Sequence, residues 1–381
     1  MSQSLVHGYG RKYLTSRCLI KVDIRKAFDS LQWSFIQDIL KALKFPEMGD
    51  VPSVSAVLVV LKNFSAWSGI YANTDKTEIY FGGVSDAIKQ HILQDTGFSE
   101  GNFPFRYLGL PLNTARLTVN SYGVLIKKIQ SFLQQWATRF FSYAGKVQLI
   151  NSVIFGLTNF WCATALLPKN IIKNLNKLCK DFFLSIEAGQ RRLVFKIWKS
   201  ICSPWQKGGL NIKEFLSWNK ALLAKWIWIL EVKKSGLWYE WTQAYHLNNS
   251  SIWTLQSKSH YTESFRSLLI IRDEILAKTG SITTVISLIS SWFHKGKFSI
   301  GRAYSWFRNS LPKLHWTTTL HHQFIIPSHS VITSLALQHK LAILDNLAGK
   351  GLHIINRCIL CKQDNETHAH LFFNCAFSRQ I

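Results

Sequence analysis

The sequence predicts an α+β fold in which helix predominates, with a small separate module at the C-terminal end. Three observations lead there. Short alternating apolar runs, the mark of half-buried strands, are confined to the first 112 residues. From Thr118 to Leu230 apolar residues recur at helical spacing with little interruption. Three of the seven cysteines fall between Cys358 and Cys375. The expected divisions are a mixed segment at 1–112, a helical region at 113–245, a linker with helices at 246–297, and a terminal module at 298–381. No internal repeat is visible.

The elements follow in order. Cys18, Ile20, Val22 and Ile24 alternate with Leu19, Lys21 and Asp23, which predicts a half-buried strand over 18–24. Leu31, Phe35, Ile39, Leu40 and Leu43 predict a helix capped by Asp29 or Ser30 and stopped at Pro46. Residues 52–66 read as a second helix with Pro52 in its first turn, closed by Ser68-Gly69. A strand fits 76–81, and 105–110 is a short extended piece before Pro111. Helices then fit 119–140, 143–158, 169–184 and 214–231, with a Gly208-Gly209 turn between the last two. The polar stretch 245–262 reads as a linker, and helices fit 263–277 and 301–309.

Composition narrows the partners. Hydrophobic residues make up 47% and charged residues 17% of the 381, which excludes a disordered chain. The net charge of +24 favours polyanions, nucleic acid (RNA or DNA) before anionic membrane surfaces. The charge-free run from Val147 to Pro168 has the length of a membrane span. Gln148, Asn151, Ser152, Thr158 and Asn159 interrupt it, so a buried helical segment is expected and no membrane partner. Scattered cysteines and a polar, basic opening without a signal peptide predict an intracellular protein, nuclear or cytoplasmic, that is not secreted.

The terminal spacing Cys358-x2-Cys361-x8-His370-x4-Cys375 matches what a tetrahedral Zn²⁺ site needs. The first pair places two thiolates on one turn, and His370 and Cys375 return to close the other half. His368 competes for the third position. His370 is favoured because Leu371-Phe372-Phe373 beside it can bury the site. Four closed ligands make the site structural. Lys127, Lys128, Arg139, Lys146, Lys169, Lys173, Lys177 and Lys180 are interleaved with Phe132, Trp136, Phe140, Phe141 and Trp161. In helices these cations can face a nucleic-acid backbone while the aromatics pack inward.

The carboxylates are sparse. Asp23 ends a strand and Asp29 begins a helix, and no Asp-Asp pair occurs anywhere. Two-metal chemistry needs carboxylates converging from neighbouring strands. On the residues alone, Asp23 is a solvated strand residue and Asp29 a helix cap.

Several motifs resemble one family, the reverse transcriptases of plant non-LTR (LINE-type) retrotransposons. KVDIRKAFDSLQW (21–33) resembles their first catalytic motif, and FSAWSGIYANTDKTEIYFGG (64–83) looks like their later palm motif. FRYLGLPL (105–112) resembles the segment near the primer grip. SYAGKVQLINSVIF (142–155) and WKSICSPWQKGGLNI (198–212) are similar to the thumb and downstream region. CILCKQDNETHAHLFFNC (358–375) resembles the zinc-binding domain C-terminal to these enzymes. The resemblance implies a truncated palm at 1–112, a thumb-like connection at 113–245 and a zinc-binding domain at 298–381. It also implies that Asp23 matches the metal-binding aspartate, that Phe28 lies near the incoming nucleotide, and that Lys76 matches the family's lysine.

One departure is large. The family carries an Asp-Asp turn on a central hairpin between these motifs, whereas here KALKFPEMGD (41–50) runs directly into VPSVSAVLVVL (51–61). The resemblance therefore implies an internally deleted remnant that binds nucleic acid but does not polymerise, with Mg²⁺ needed only by an active enzyme. Two alternatives stand beside it: a working reverse transcriptase whose missing turn reflects a mis-joined gene model, and an unstable pseudogene product.

Overall fold

The computed structural model describes residues 17–21, 51–68, 71–107, 110–112, 118–137, 139, 141–184, 198–248, 250–258, 261–308, 312–320, 325–339, 341, 343–348 and 355–380. The chain is α+β and mostly helical. It divides into two compact units, Met1–Leu117 and Thr118–Ile381. Asp23, Phe28, Asp29 and the helix expected after them lie outside the described residues.

In the first unit β1 (Arg17–Lys21) pairs antiparallel with β2 (Glu78–Gly82), Cys18 opposite Phe81 and Lys21 opposite Glu78. β2 also runs parallel to the short β3 (Ser99–Glu100). Both faces of β2 are covered. Ile79 packs with Val54 of α1 (Val51–Ser68), Ile92 of α2 (Asp86–Thr96) and Phe98. Tyr80, on the other face, packs with Phe105 and Leu112. Those two residues belong to a hairpin of β4 (Phe105–Tyr107) and β5 (Leu110–Leu112), where a single extended piece was expected. Strand β2 also begins later than expected, because Asn73 caps a 3₁₀ turn over Thr74–Lys76. Helix α2 was not foreseen; it carries one buried apolar residue, Ile92, so its hydrophobic period is faint.

The second unit is built of helices. α3 (Gly123–Ala137) buries Leu125, Ile126, Ile129 and Leu133. α4 (Tyr143–Leu149) continues through a π turn at Ile150–Ile154 into α5 (Phe155–Thr164). α6 (Lys169–Phe183) buries Ile171, Leu175, Cys179, Phe182 and Phe183. α7 (Phe215–Trp228) is the hub, packed against α5, α6, α9 (Glu263–Thr279) and α11 (Ile300–Phe307). α8 (Leu237–Thr242) and α10 (Ile282–Ser291) complete this set. α12 (Pro327–Leu337) packs on α4, and α13 (Leu344–Ala348) leads toward the terminal module.

Side-chain amides tie the connections to the hub. Asn219 on α7 is fully buried; its Nδ2 donates to the carbonyls of Cys162 (2.5 Å) and Ala165 (2.9 Å). Its Oδ1 accepts from Leu167 N–H at 2.8 Å. One side chain thus satisfies the orphan groups where α5 ends. The Gly208-Gly209 turn forms as expected, closed by Gly208 N–H onto Trp205 O (2.9 Å) and Gly209 N–H onto Pro204 O (3.1 Å).

Two expectations change. The polar stretch 245–262 is packed rather than a free linker. Ile252, Trp253 and Tyr261 are buried in the core of α7 and α9. Arg272 Nη1 donates to the carbonyls of Ile252 and Leu255, and Trp253 Nε1 donates to Glu231. Three apolar anchors and one guanidinium order a segment whose composition reads as solvated. The charge-free run 147–168 is interrupted helix with many buried side chains, and no helix among the described residues is long and apolar enough to cross a membrane.

Candidate metal centre

The ligand residues sit on two turns. In the first, Lys362 N–H donates to Cys358 O (2.9 Å) and Cys358 N–H to Asp364 O (2.7 Å). Lys362 takes a positive φ of 58° so that the chain can reverse. The second is a π turn over His370–Asn374, in which Cys375 N–H donates to His370 O at 2.7 Å. Five residues per hydrogen-bonded loop put His370 and Cys375 on the same side, which the x4 spacing requires. Thr367 Oγ1 accepts from His370 N–H (3.1 Å) and fixes where that turn starts. Glu366, buried between the turns, accepts from Leu344 N–H (3.0 Å) and so anchors the ligand loop to the first turn of α13.

The result is convergence. One ligand atom from each of Cys358, Cys361, His370 and Cys375 lies within 4.8 Å of every other. The Sγ atoms of Cys358 and Cys375 are 4.0 Å apart, and Cys361 Sγ is 3.3 Å from His370 Nε2. Asp364 Oδ2 stands 3.7 Å from His370 Nδ1, on the far side of the ring, where a carboxylate orients a metal-binding imidazole. His368 does not join. Its Nε2 is 3.1 Å from Asn346 Nδ2, and its ring packs edge-on against His339.

The electrostatics favour the thiolate at Cys361 and Cys375 but not at Cys358. Backbone N–H groups of Asp364 and Gln363 lower the Cys361 thiol, and burial only partly opposes them. Ser378 and Phe377 N–H groups do the same for Cys375. Cys358 is pulled down by Cys361 N–H, but burial and the two neighbouring thiols outweigh it, so it is raised. Three sulfurs and one imidazole nitrogen form the donor set that suits Zn²⁺, and two of the separations, 4.0 Å between Cys358 Sγ and Cys375 Sγ and 3.3 Å between Cys361 Sγ and His370 Nε2, lie close to those around a tetrahedral ion.

The other sequence candidates do not gather at one place. Lys76 is exposed on its 3₁₀ turn. Lys127 and Lys128 are exposed on α3, opposite its buried stripe, and Arg139 is exposed just beyond that helix. Lys146 is different: it is buried, its Nζ 5.8 Å from the Phe182 ring centroid, and desolvation lowers its pKa. It supports the contact of α4 with α6 and is not a surface cation. On α6 Lys169, Lys173 and Lys177 are exposed in one line four residues apart. No carboxylate among the described residues pairs with Lys127, Lys128, Arg139 or these three. Sequence reasoning did not find Glu366, Asp364 or Asn346, whose roles come from contacts across the turns. A cavity of about 860 Å³ lined by Glu231, Tyr239, Glu240 and Gln243 also went unseen. Its carboxylates disfavour a polyanion there.

Comparison with known proteins agrees with the terminal site. Residues 298–381 match the family described as zinc-binding in reverse transcriptase. The chain is also 28% identical over 177 residues to "Putative ribonuclease H protein At1g65750" of Arabidopsis thaliana. That match covers 45% of this chain and 28% of the relative's length. The chain is, on these matches, reverse-transcriptase-related.

Proposed function

We propose that the chain is a nucleic-acid-binding part of a retroelement reverse transcriptase, with its C-terminal module folded around one structural Zn²⁺. The observation that carries this reading is the convergence of four soft or borderline ligand atoms within 4.8 Å. Cys358, Cys361, His370 and Cys375 would hold the ion, which supplies no chemistry beyond holding the module together. RNA or DNA would lie along the exposed cations of the helical unit, Lys127, Lys128, Arg139, Lys169, Lys173 and Lys177.

The polymerase chemistry of the resembling family needs Mg²⁺ held by converging aspartates. The sequence contains no Asp-Asp pair. On this reading Asp23 and Lys76 are remnants of a catalytic set, and the chain does not extend a primer by itself.

The test is salt-dependent binding of a duplex to the zinc-loaded chain. Each neutralised phosphate contributes about −0.9 to the slope of log K against log salt. Replacing Lys169, Lys173 and Lys177 by Gln should weaken binding and flatten that slope by about 2–3. An unchanged slope, or binding indifferent to salt, contradicts the reading. Primer extension by the purified chain contradicts the statement on polymerisation.

A further inference from the structure

The zinc module carries an unusual surface. Phe373 is 75% exposed, Ile359 74%, Phe377 49% and Phe372 42%. All four lie within two residues of a candidate zinc ligand in sequence. A single exposed apolar residue needs no explanation, but a group of them on so small a module marks an interaction site. The π turn accounts for two of them. It directs His370 inward and presents Phe372 and Phe373 to solvent, their ring centroids 6.4 Å apart. The following 3₁₀ turn, Ser378–Gln380, folds back onto it: Ser378 Oγ donates to Leu371 O (2.7 Å) and Arg379 Nε to Phe373 O (3.1 Å). A guanidinium is thereby held on the backbone of the residue that carries the most exposed of these rings.

The charges indicate what covers this surface. The exposed ions of residues 355–380 are Arg357, Lys362 and Arg379, with Asp364 the one opposing carboxylate, turned toward His370. Exposed aromatic rings with flanking cations are what unpaired nucleotides require: a π face for the base and a positive charge for its phosphate. A second copy of the chain would suit the rings but would bring the same cations against each other.

We infer that Phe373, with Phe372, Phe377 and Arg379, forms a stacking platform for unpaired bases of single-stranded RNA or DNA. This deepens the nucleic-acid reading above and rests on the zinc module being folded. The helical lysines take phosphates; the zinc module takes bases.

The experiment uses the zinc-loaded full chain with single strands of DNA and of RNA carrying 2-aminopurine, and with a duplex. Binding should quench the probe in the DNA strand, the RNA strand or both. Phe373→Ala should weaken single-strand binding about tenfold and remove the quenching, while Phe373→Trp preserves both. Duplex affinity should stay within about twofold, and zinc content should remain one per chain, which shows that the variant is folded. Unchanged quenching and single-strand affinity in Phe373→Ala would overturn the inference. So would a dimer in sedimentation that Phe373→Ala dissociates. The duplex arm reads the helical lysines independently, so either proposal can fail while the other stands.

Discussion

Cys358 Sγ and Cys375 Sγ approach to 4.0 Å across the two turns of the terminal module. A disulfide would bring them to about 2.05 Å. Two thiolates on one tetrahedral zinc, with bonds of about 2.3 Å, stand about 3.8 Å apart. The pair is spaced for a shared ion. The spacing between Cys361 Sγ and His370 Nε2, 3.3 Å, is close to the roughly 3.6 Å that the same geometry gives for sulfur and nitrogen.

That arrangement separates the two candidate histidines. His370→Ala and Cys361→Ser should each reduce zinc content well below one per chain. Rapid amide exchange over residues 355–380 should accompany the loss, because little apolar burial holds these turns without the ion. His368→Ala should keep its zinc, since the His368 ring contacts Asn346 and His339 instead. Metal analysis of the three variants checks this. Zinc loss in His368→Ala with retention in His370→Ala would reverse the assignment.

In the helical unit Asn219 carries more stability than its size suggests. Asn219→Ala would leave buried carbonyls of Cys162 and Ala165 and the N–H of Leu167 without partners. The expected cost is about 3 kcal/mol. Denaturant unfolding measures it. A cost below about 1 kcal/mol would mean that water or a shifted backbone satisfies those groups.

A pH dependence follows from the first unit. The Lys21 ammonium, bonded to Glu78 at 2.8 Å, and then the Tyr80 hydroxyl hold the Glu78 carboxyl below its ordinary value; burial opposes them. A carboxylate whose folded pKa is depressed stabilises the fold above its unfolded pKa. That contribution is lost as pH falls through the folded value. The pairing of β1 with β2 is therefore fully supported at neutral pH and weakens below about 4.5, the ordinary glutamate value. Lys21→Met should destabilise the unit at neutral pH, and the difference from the parent should shrink toward zero in acid. Unfolding curves at both pH values test the sign. A difference that grows in acid would contradict it.

Much of this was legible in the sequence, and the gaps have physical causes. The Cys358-x2-Cys361 pair reads directly, because short spacing forces a tight turn. The preference for His370 over His368 comes from the π turn and from the contact of His368 with Asn346, which spacing does not reveal. Long helices with a strong stripe, such as α6 and its Ile171, Leu175 and Cys179, stand out by period. α2 has one buried apolar residue and does not. The stretch 245–262 misleads because its polar majority hides Ile252, Trp253 and Tyr261, and because Arg272 bonds its carbonyls from a distant helix. Lys146 looks like its neighbours in sequence. Only packing shows that its ammonium sits against Phe182.

X-ray absorption at the zinc edge tests the central claim most directly. The zinc-loaded chain should show three sulfur neighbours at about 2.3 Å and one nitrogen at about 2.0–2.1 Å. Replacing Cys361 by Ser should remove that signal. A shell of oxygen and nitrogen only, two sulfurs in place of three, or a chain that takes up no zinc would contradict the account.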